Sequence, residues 1–203
     1  MLASLRALLD EYRIRRRVRL ARTYTTRNLP ESTFGRLIGR VRPLDGALLT
    51  APLSGRSCVY YAVTVDVPHR SPGELASEQD AIPFLLDDAE GVAVIDPAHA
   101  TYSVRVDFTS ASKAAFDATP AQRAVLERLD LIDIDWFNVP SLRYREAVIR
   151  PDETLSVVGA GVREPGPALP ISAGYREGAA LRMRITGTAR FPLLIRDHAD
   201  RSV

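Results

Sequence analysis

One cysteine, three histidines and a pair of adjacent aspartates are the residues of this 203-residue chain that invite a search for catalysis. Cys58 would need a base beside it to act as a nucleophile, and nothing around it resembles a protease signature that would bring His69, His99 or His198 to it. It sits instead in the alternating run SCVYYAVTVDV, where a cysteine serves as a small packed hydrophobe. In that run Val59, Tyr61, Val63, Val65 and Val67 share one face, and alternation puts Cys58 on the opposite one. A single cysteine excludes an intramolecular disulfide and any zinc site built on two or more thiolates. The histidines show neither HxH nor HExxH spacing, so no metal centre is expected. Asp87 and Asp88 are neighbours at a strand end and point to opposite faces, a poor arrangement for an acid–base pair. They read better as caps of the turn at Glu90-Gly91. The stretch VVGAGVREPG resembles a dinucleotide-binding loop only in part. Glu164 occupies the third glycine position, and Pro165 and Pro167 forbid the helix whose N-terminus would meet a pyrophosphate. Gly159 and Gly161 therefore read as a bulge or a close backbone approach. There is no GxSxG elbow and no phosphate-binding GxxxxGK. The sequence points to no catalytic residue, no metal ligand and no cofactor.

Binding chemistry is easier to find. Residues 1–27 carry Arg6, Arg13, Arg15, Arg16, Arg17, Arg19, Arg22 and Arg27 against only Asp10 and Glu11, a charge of +6 within a chain whose net charge is +2. The remainder is thus mildly acidic. Lys113 is the only lysine, so part of this richness is a chain-wide preference for arginine. Three readings of the arm stay open. It can attract anionic lipid, neutralise nucleic-acid phosphates, or pack on the body as a solvated segment. Trp136 and Phe137, in the loop DIDWFNVP, offer an aromatic binding anchor or a plug for the edge of a core. The candidate binding residues are Arg13, Arg15, Arg16, Arg17, Arg19, Arg22, Trp136 and Phe137.

The elements that must position these groups follow from periodicity. Leu2, Leu5, Leu9 and Tyr12 fall at helical spacing and predict a short amphipathic helix running into the basic stretch. Arg6, Asp10 and Glu11 interrupt it and the arginines follow it, which is not the order of a signal peptide. No apolar run approaches the roughly 20 residues needed to span a bilayer. Pro30 marks a linker over 28–33. From Phe34 short β-rich runs alternate with turns: 34–41, 47–50, 57–67, 83–88, 92–96, 101–108, 142–149, 154–162, 181–186 and 191–197. Thr119-Pro120 begins a helix with Ala124, Val125, Leu129 and Ile132 at helical spacing. A proline- and glycine-rich excursion covers 163–178. The reading is an α+β protein, mainly antiparallel β, with a small OB-like barrel as its candidate form, one internal helix and the N-terminal amphipathic helix. Its parts are a basic helical arm (1–27), a linker (28–33) and one β-rich domain (34–203).

Four segments in order, FGRLIGRV, LTAPLSGRSCVYYAVTV, IPFLLDDAEGVAVIDP and YREAVIRPDETLSVVGAGV, resemble the GIDE domain, also called BAM for "beside a membrane". That family occurs in mitochondrial RING ubiquitin ligases and in prokaryotic membrane proteins. The resemblance is carried most by Glu146, Ile149, Pro151 and Asp152 leading into 155–159, then by Pro83, Phe84, Asp87 and Gly91. It implies a domain working beside a membrane. The ligases' zinc-dependent RING has no counterpart in the cysteine content here, and the flanking transmembrane helices have none in its hydropathy. The favoured expectation is a non-catalytic regulatory or protein-interaction domain, cytoplasmic and peripheral to a membrane. Its partners would be an unidentified protein and an anionic membrane surface. An enzyme with an unfamiliar site and a nucleic-acid binder are the alternatives. Any membrane affinity is expected from the N-terminal segment rather than from the β-rich body.

Overall fold

The computed structural model describes residues 20–68, 74–113, 117–132, 141–166, 180–188 and 191–197. The expected N-terminal helix lies outside them, as do Arg13, Arg15, Arg16, Arg17, Arg19, Trp136 and Phe137. Along the chain the elements are β1 (Phe34–Pro43), β2 (Leu49–Thr50), β3 (Ser57–Cys58), β4 (Tyr60–Asp66), β5 (Glu74–Ala81), β6 (Phe84–Asp87), β7 (Val92–Ile95), β8 (Ala100–Ser103), β9 (Phe108–Ser112), α1 (Pro120–Arg128), β10 (Leu142–Ile149), β11 (Thr154–Gly166), β12 (Ala180–Thr186) and β13 (Leu193–Asp197). The fold is α+β and mostly strand, as expected. Where the sequence reads as one domain over 34–203, the residues instead cluster into two compact units, each made of non-contiguous stretches. Of the described residues, Leu48–Ala81 and Arg105–Arg150 belong to unit 1, and those of 20–47, Ile82–Val104 and 151–197 belong to unit 2.

Unit 2 is built on a closed five-stranded barrel in the order β1-β6-β7-β12-β11, with β11 pairing back to β1. Only β7 and β12 are parallel within it. Taken in chain order, the five barrel strands run 1-2-3-5-4, an OB-like arrangement that leaves the barrel itself no open edge. Strands β13 and β8 extend the sheet outward from β11. The strict alternation of FGRLIGRV sets the geometry. Gly35, Leu37, Gly39 and Val41 are buried, while Phe34, Arg36, Ile38 and Arg40 are wholly or partly exposed. The β6–β7 hairpin differs, because Leu85 and Val94 are as buried as Phe84 and Ile95, so neither of its faces is open to solvent. Gly159 and Gly161 are close approaches, not bulges. A Cβ on Gly159 would lie 2.6 Å from Leu193 Cδ1, and one on Gly161 would lie 2.4 Å from Met183 Sδ.

Residues 28–33, read as a linker, are built into this unit. Leu29 is buried, Ser32 N donates to Gly161 O at 2.9 Å, and just upstream Tyr24 N donates to Arg36 O at 2.9 Å. Asp88 completes the attachment by accepting from Thr26 N at 2.5 Å and from Thr26 Oγ1 at 3.0 Å. The same carboxylate accepts from Glu90 N and Gly91 N, and Asp87 accepts from Ala89 N, so both aspartates cap the turn as read from sequence.

Unit 1 is an antiparallel sheet in the order β5-β4-β10-β9, with α1 on one face and the small β2–β3 hairpin beside it. Thr119 caps α1 through a capping box with Gln122, and Pro120 opens the helix. Gln122 is buried and also donates to Ser110 Oγ at 3.0 Å, tying the cap to β9. Val125 and Leu126 pack on Val63, Val65, Leu142 and Tyr144. The valine face anticipated from alternation is therefore real. Cys58, however, does not lie opposite it: it packs with Ala51, Val148 and Tyr61, on the valine side. The strand breaks at Val59, between β3 and β4, and that break resets the alternation by which Cys58 was placed.

Candidate functional site

An open groove of about 700 Å³ lies in unit 2, within the roughly 300–1,000 Å³ usual for ligand sites. Its floor follows from strand register. Phe34 pairs with Ala160 and Ala160 with Thr186, so three side chains form a row across β1, β11 and β12. The small Ala160 between larger neighbours makes the row concave. One wall is Leu20, Ala21 and Arg22; Ala21 seats on Val158 and Leu194, which anchors that wall to β11 and β13. The other wall carries Thr188 and Phe191, and Ser32 completes the lining. Gly187 permits the close turn there, since a Cβ would lie 2.3 Å from Leu193 N.

The chemistry of this lining is apolar with a hydroxyl fringe and a single cation. Leu20, Phe34 and Phe191 are 72%, 40% and 54% exposed, and Val162, one step along the same face of β11 as Ala160, is 46% exposed. These are all the exposed large apolar side chains described for unit 2. Arg22 has its guanidinium carbon 5.3 Å from the Tyr24 ring centroid, a cation–π contact, and among the described residues no carboxylate pairs with it. On β12 the arginines are matched by acid: Arg182 and Arg184 meet Glu164, and Arg184 also meets Asp96. Arg184, and after it Arg182, holds the Glu164 carboxyl below its usual range.

Of the residues singled out from sequence, the structure thus places Arg22 at a cavity. Phe34, Phe191, Leu20 and Val162 were not singled out. The available signal was Phe34 falling on the arginine-bearing side of FGRLIGRV rather than with Leu37 and Val41.

The most buried carboxylate, Glu146, belongs to unit 1. It is fully buried and accepts from Leu53 N at 2.7 Å, Ser54 N at 3.2 Å and Ser54 Oγ, with Arg56 Nη2 at 3.6 Å. Arg56 in turn makes a two-point pair with Asp107. This set folds the 51–56 turn onto the sheet, a structural task. Nearby, burial first and the Glu146 charge second push the Cys58 thiol up to about 11, so it is protonated at neutral pH. Cys58→Ser is expected to cost about 1–3 kcal/mol by burying a hydroxyl, and a bulky maleimide should label the thiol only on unfolding. Denaturant titration and a labelling time course check both points. Among the described residues, no three His, Cys, Asp or Glu side chains gather closely enough to hold a metal ion, and no helix is long and apolar enough to cross a membrane.

Comparison with family models, with curated proteins and with solved structures finds no match to this chain.

Proposed function

We propose that this chain is a non-catalytic interaction domain that works beside an anionic membrane and presents a protein partner there. The observation that carries this reading is the open apolar groove, whose wall at residues 20–22 continues directly from the arginine-rich stretch 13–19. The resemblance of four segments to the GIDE/BAM domain supports it. Arginines near an anionic surface contribute about 1 kcal/mol each, over a range set by the Debye length. The basic segment accordingly draws the domain to the surface, and the attachment weakens as salt rises.

Vesicle co-sedimentation tests this. Full-length protein should bind phosphatidylcholine vesicles containing phosphatidylserine several-fold better than pure phosphatidylcholine, and the difference should shrink from low to physiological salt. A chain starting at residue 20 should lose most of the binding at low salt while keeping its melting temperature. The deletion stops there because Tyr24, Thr26 and Leu29 are part of the barrel. Equal binding of full-length protein to both vesicle types would sink the reading. A second reading, single-stranded nucleic acid, draws on Phe34, Phe191 and Arg22 sharing one groove, since bases stack on aromatic rings beside cations. Displacement of the protein from vesicles by a short oligonucleotide would favour it.

A further inference from the structure

We infer that the rim of the unit 2 groove inserts into the acyl region of the leaflet, so that the β-rich body contributes membrane affinity of its own. This rests on the membrane reading above and adds the part of the protein that enters the lipid. Three observations converge on it. Of the four exposed large apolar side chains described for unit 2, Leu20, Phe34 and Phe191 line the groove, and Val162 lies two residues along β11 from the lining residue Ala160, on the same strand face. A gathered patch marks a contact surface, whereas single exposed apolar residues are ordinary. Next, the hydroxyls of Ser32, Thr186 and Thr188 share the lining, giving apolar groups that can enter the hydrocarbon and polar ones suited to the headgroup level.

The third observation is charge. Arg22 lines the groove, and the adjoining segment carries Arg13, Arg15, Arg16, Arg17 and Arg19 with no acid between Arg13 and Arg22. A second copy of this chain would bring a second groove arginine, its own Arg22, against the first and meet repulsion. An apolar peptide would leave these cations unmatched. An anionic leaflet satisfies apolar patch and cations together. Interfacial binding scales with the apolar area buried plus the attraction of cations to anionic lipid, and the groove rim with the polybasic stretch supplies both. The electrostatic part screens with salt, while the inserted part does not.

The experiment uses the full chain and the double variant Phe34→Ser/Phe191→Ser, both positions being exposed so that the barrel should keep its melting temperature. Binding to phosphatidylcholine–phosphatidylserine vesicles is measured from low to high salt. The parent should retain a salt-resistant fraction, and the double variant should lose it, with partitioning reduced roughly 10- to 100-fold. A Phe191→Trp variant reports depth: its fluorescence, read against the parent's Trp136 signal, should be quenched by lipids brominated in the acyl chains. Equal binding of parent and double variant, or no quenching at residue 191, overturns the insertion while leaving the electrostatic reading in place. Failure of the parent to prefer anionic vesicles overturns both. A parent that is dimeric in solution and made monomeric by the double substitution, with vesicle binding unchanged, would assign the groove to contact between copies and overturn the insertion.

Discussion

Substituting Glu146 by alanine is expected to destabilise unit 1 by about 3–5 kcal/mol, the range for removing one partner from a buried charged network. Two backbone N–H groups, on Leu53 and Ser54, lose their acceptor inside the protein, and each orphaned group costs about 1–3 kcal/mol. Arg56 loses a second acid beside it while keeping Asp107. The side chain lies on the face of β10 that also carries Tyr144 and Val148, so its removal leaves a gap under the 51–56 turn. Leu53, which packs partly against the α1 cluster, would loosen with that turn. Glu146→Gln keeps one acceptor oxygen but turns an amide donor toward the other donors, so it should fall between alanine and the parent. Denaturant unfolding followed by backbone amide exchange at Leu53 and Ser54 reads both consequences. An alanine variant within about 1 kcal/mol of the parent would mean that water replaces the carboxylate at little cost.

Much of the local structure was legible because it rests on short-range rules. FGRLIGRV alternates and is a strand; LRYREAVI became β10 over the same residues, 142–149. Thr119-Pro120 gave the start of α1, where the structure adds a capping box with Gln122. Strand β5, ELASEQDA, escaped notice because an edge strand with no fully buried residue, which gives the core only Ala76, carries no apolar alternation. Its place comes from pairing with β4 and from Glu78 holding Arg128 of α1. The segment 28–33 read as a linker because proline and polar residues say nothing of distant partners; the Thr26–Asp88 bonds that fix its neighbourhood span 62 positions. The two units were hidden for the same reason, since each is assembled from stretches that the other interrupts. The groove was legible only at Arg22, by charge. Its aromatic members, Phe34 on β1 and Phe191 in the turn before β13, lie far apart in sequence, and register alone brings Phe34, Ala160 and Thr186 into a row.

Gly39→Ala is expected to cost about 3 kcal/mol, and Gly39→Val more, the upper part of the range for overpacking a filled interior. The cause is backbone, which cannot swing aside as a side chain can. A Cβ at this position would sit 2.6 Å from the Asp87 carbonyl oxygen, 2.9 Å from its carbon and 3.0 Å from Leu86 Cγ. Strand β1 pairs with β11 through Arg40 and with β6 from Arg40 onward, so Gly39 lies where the barrel turns from one neighbour to the other. Relieving the clash means pushing β6 away from β1, which opens the ring of pairings that closes the barrel. Gly46 supplies the control. Its φ is +74° and nothing lies within 4 Å of a Cβ there, so Gly46→Ala meets conformational strain without collision and should cost about 1–2 kcal/mol. Urea unfolding of the two alanine variants separates the causes. Gly39→Ala should unfold at clearly lower urea than Gly46→Ala, and a second glycine-to-alanine change at Gly161, where the colliding atoms are the side-chain ends Met183 Sδ and Ile185 Cδ1 rather than backbone, should cost less than Gly39→Ala. Coincident transitions for Gly39→Ala and Gly46→Ala would show that β1 and β6 have room to part, and that barrel closure at this corner is softer than the packing implies.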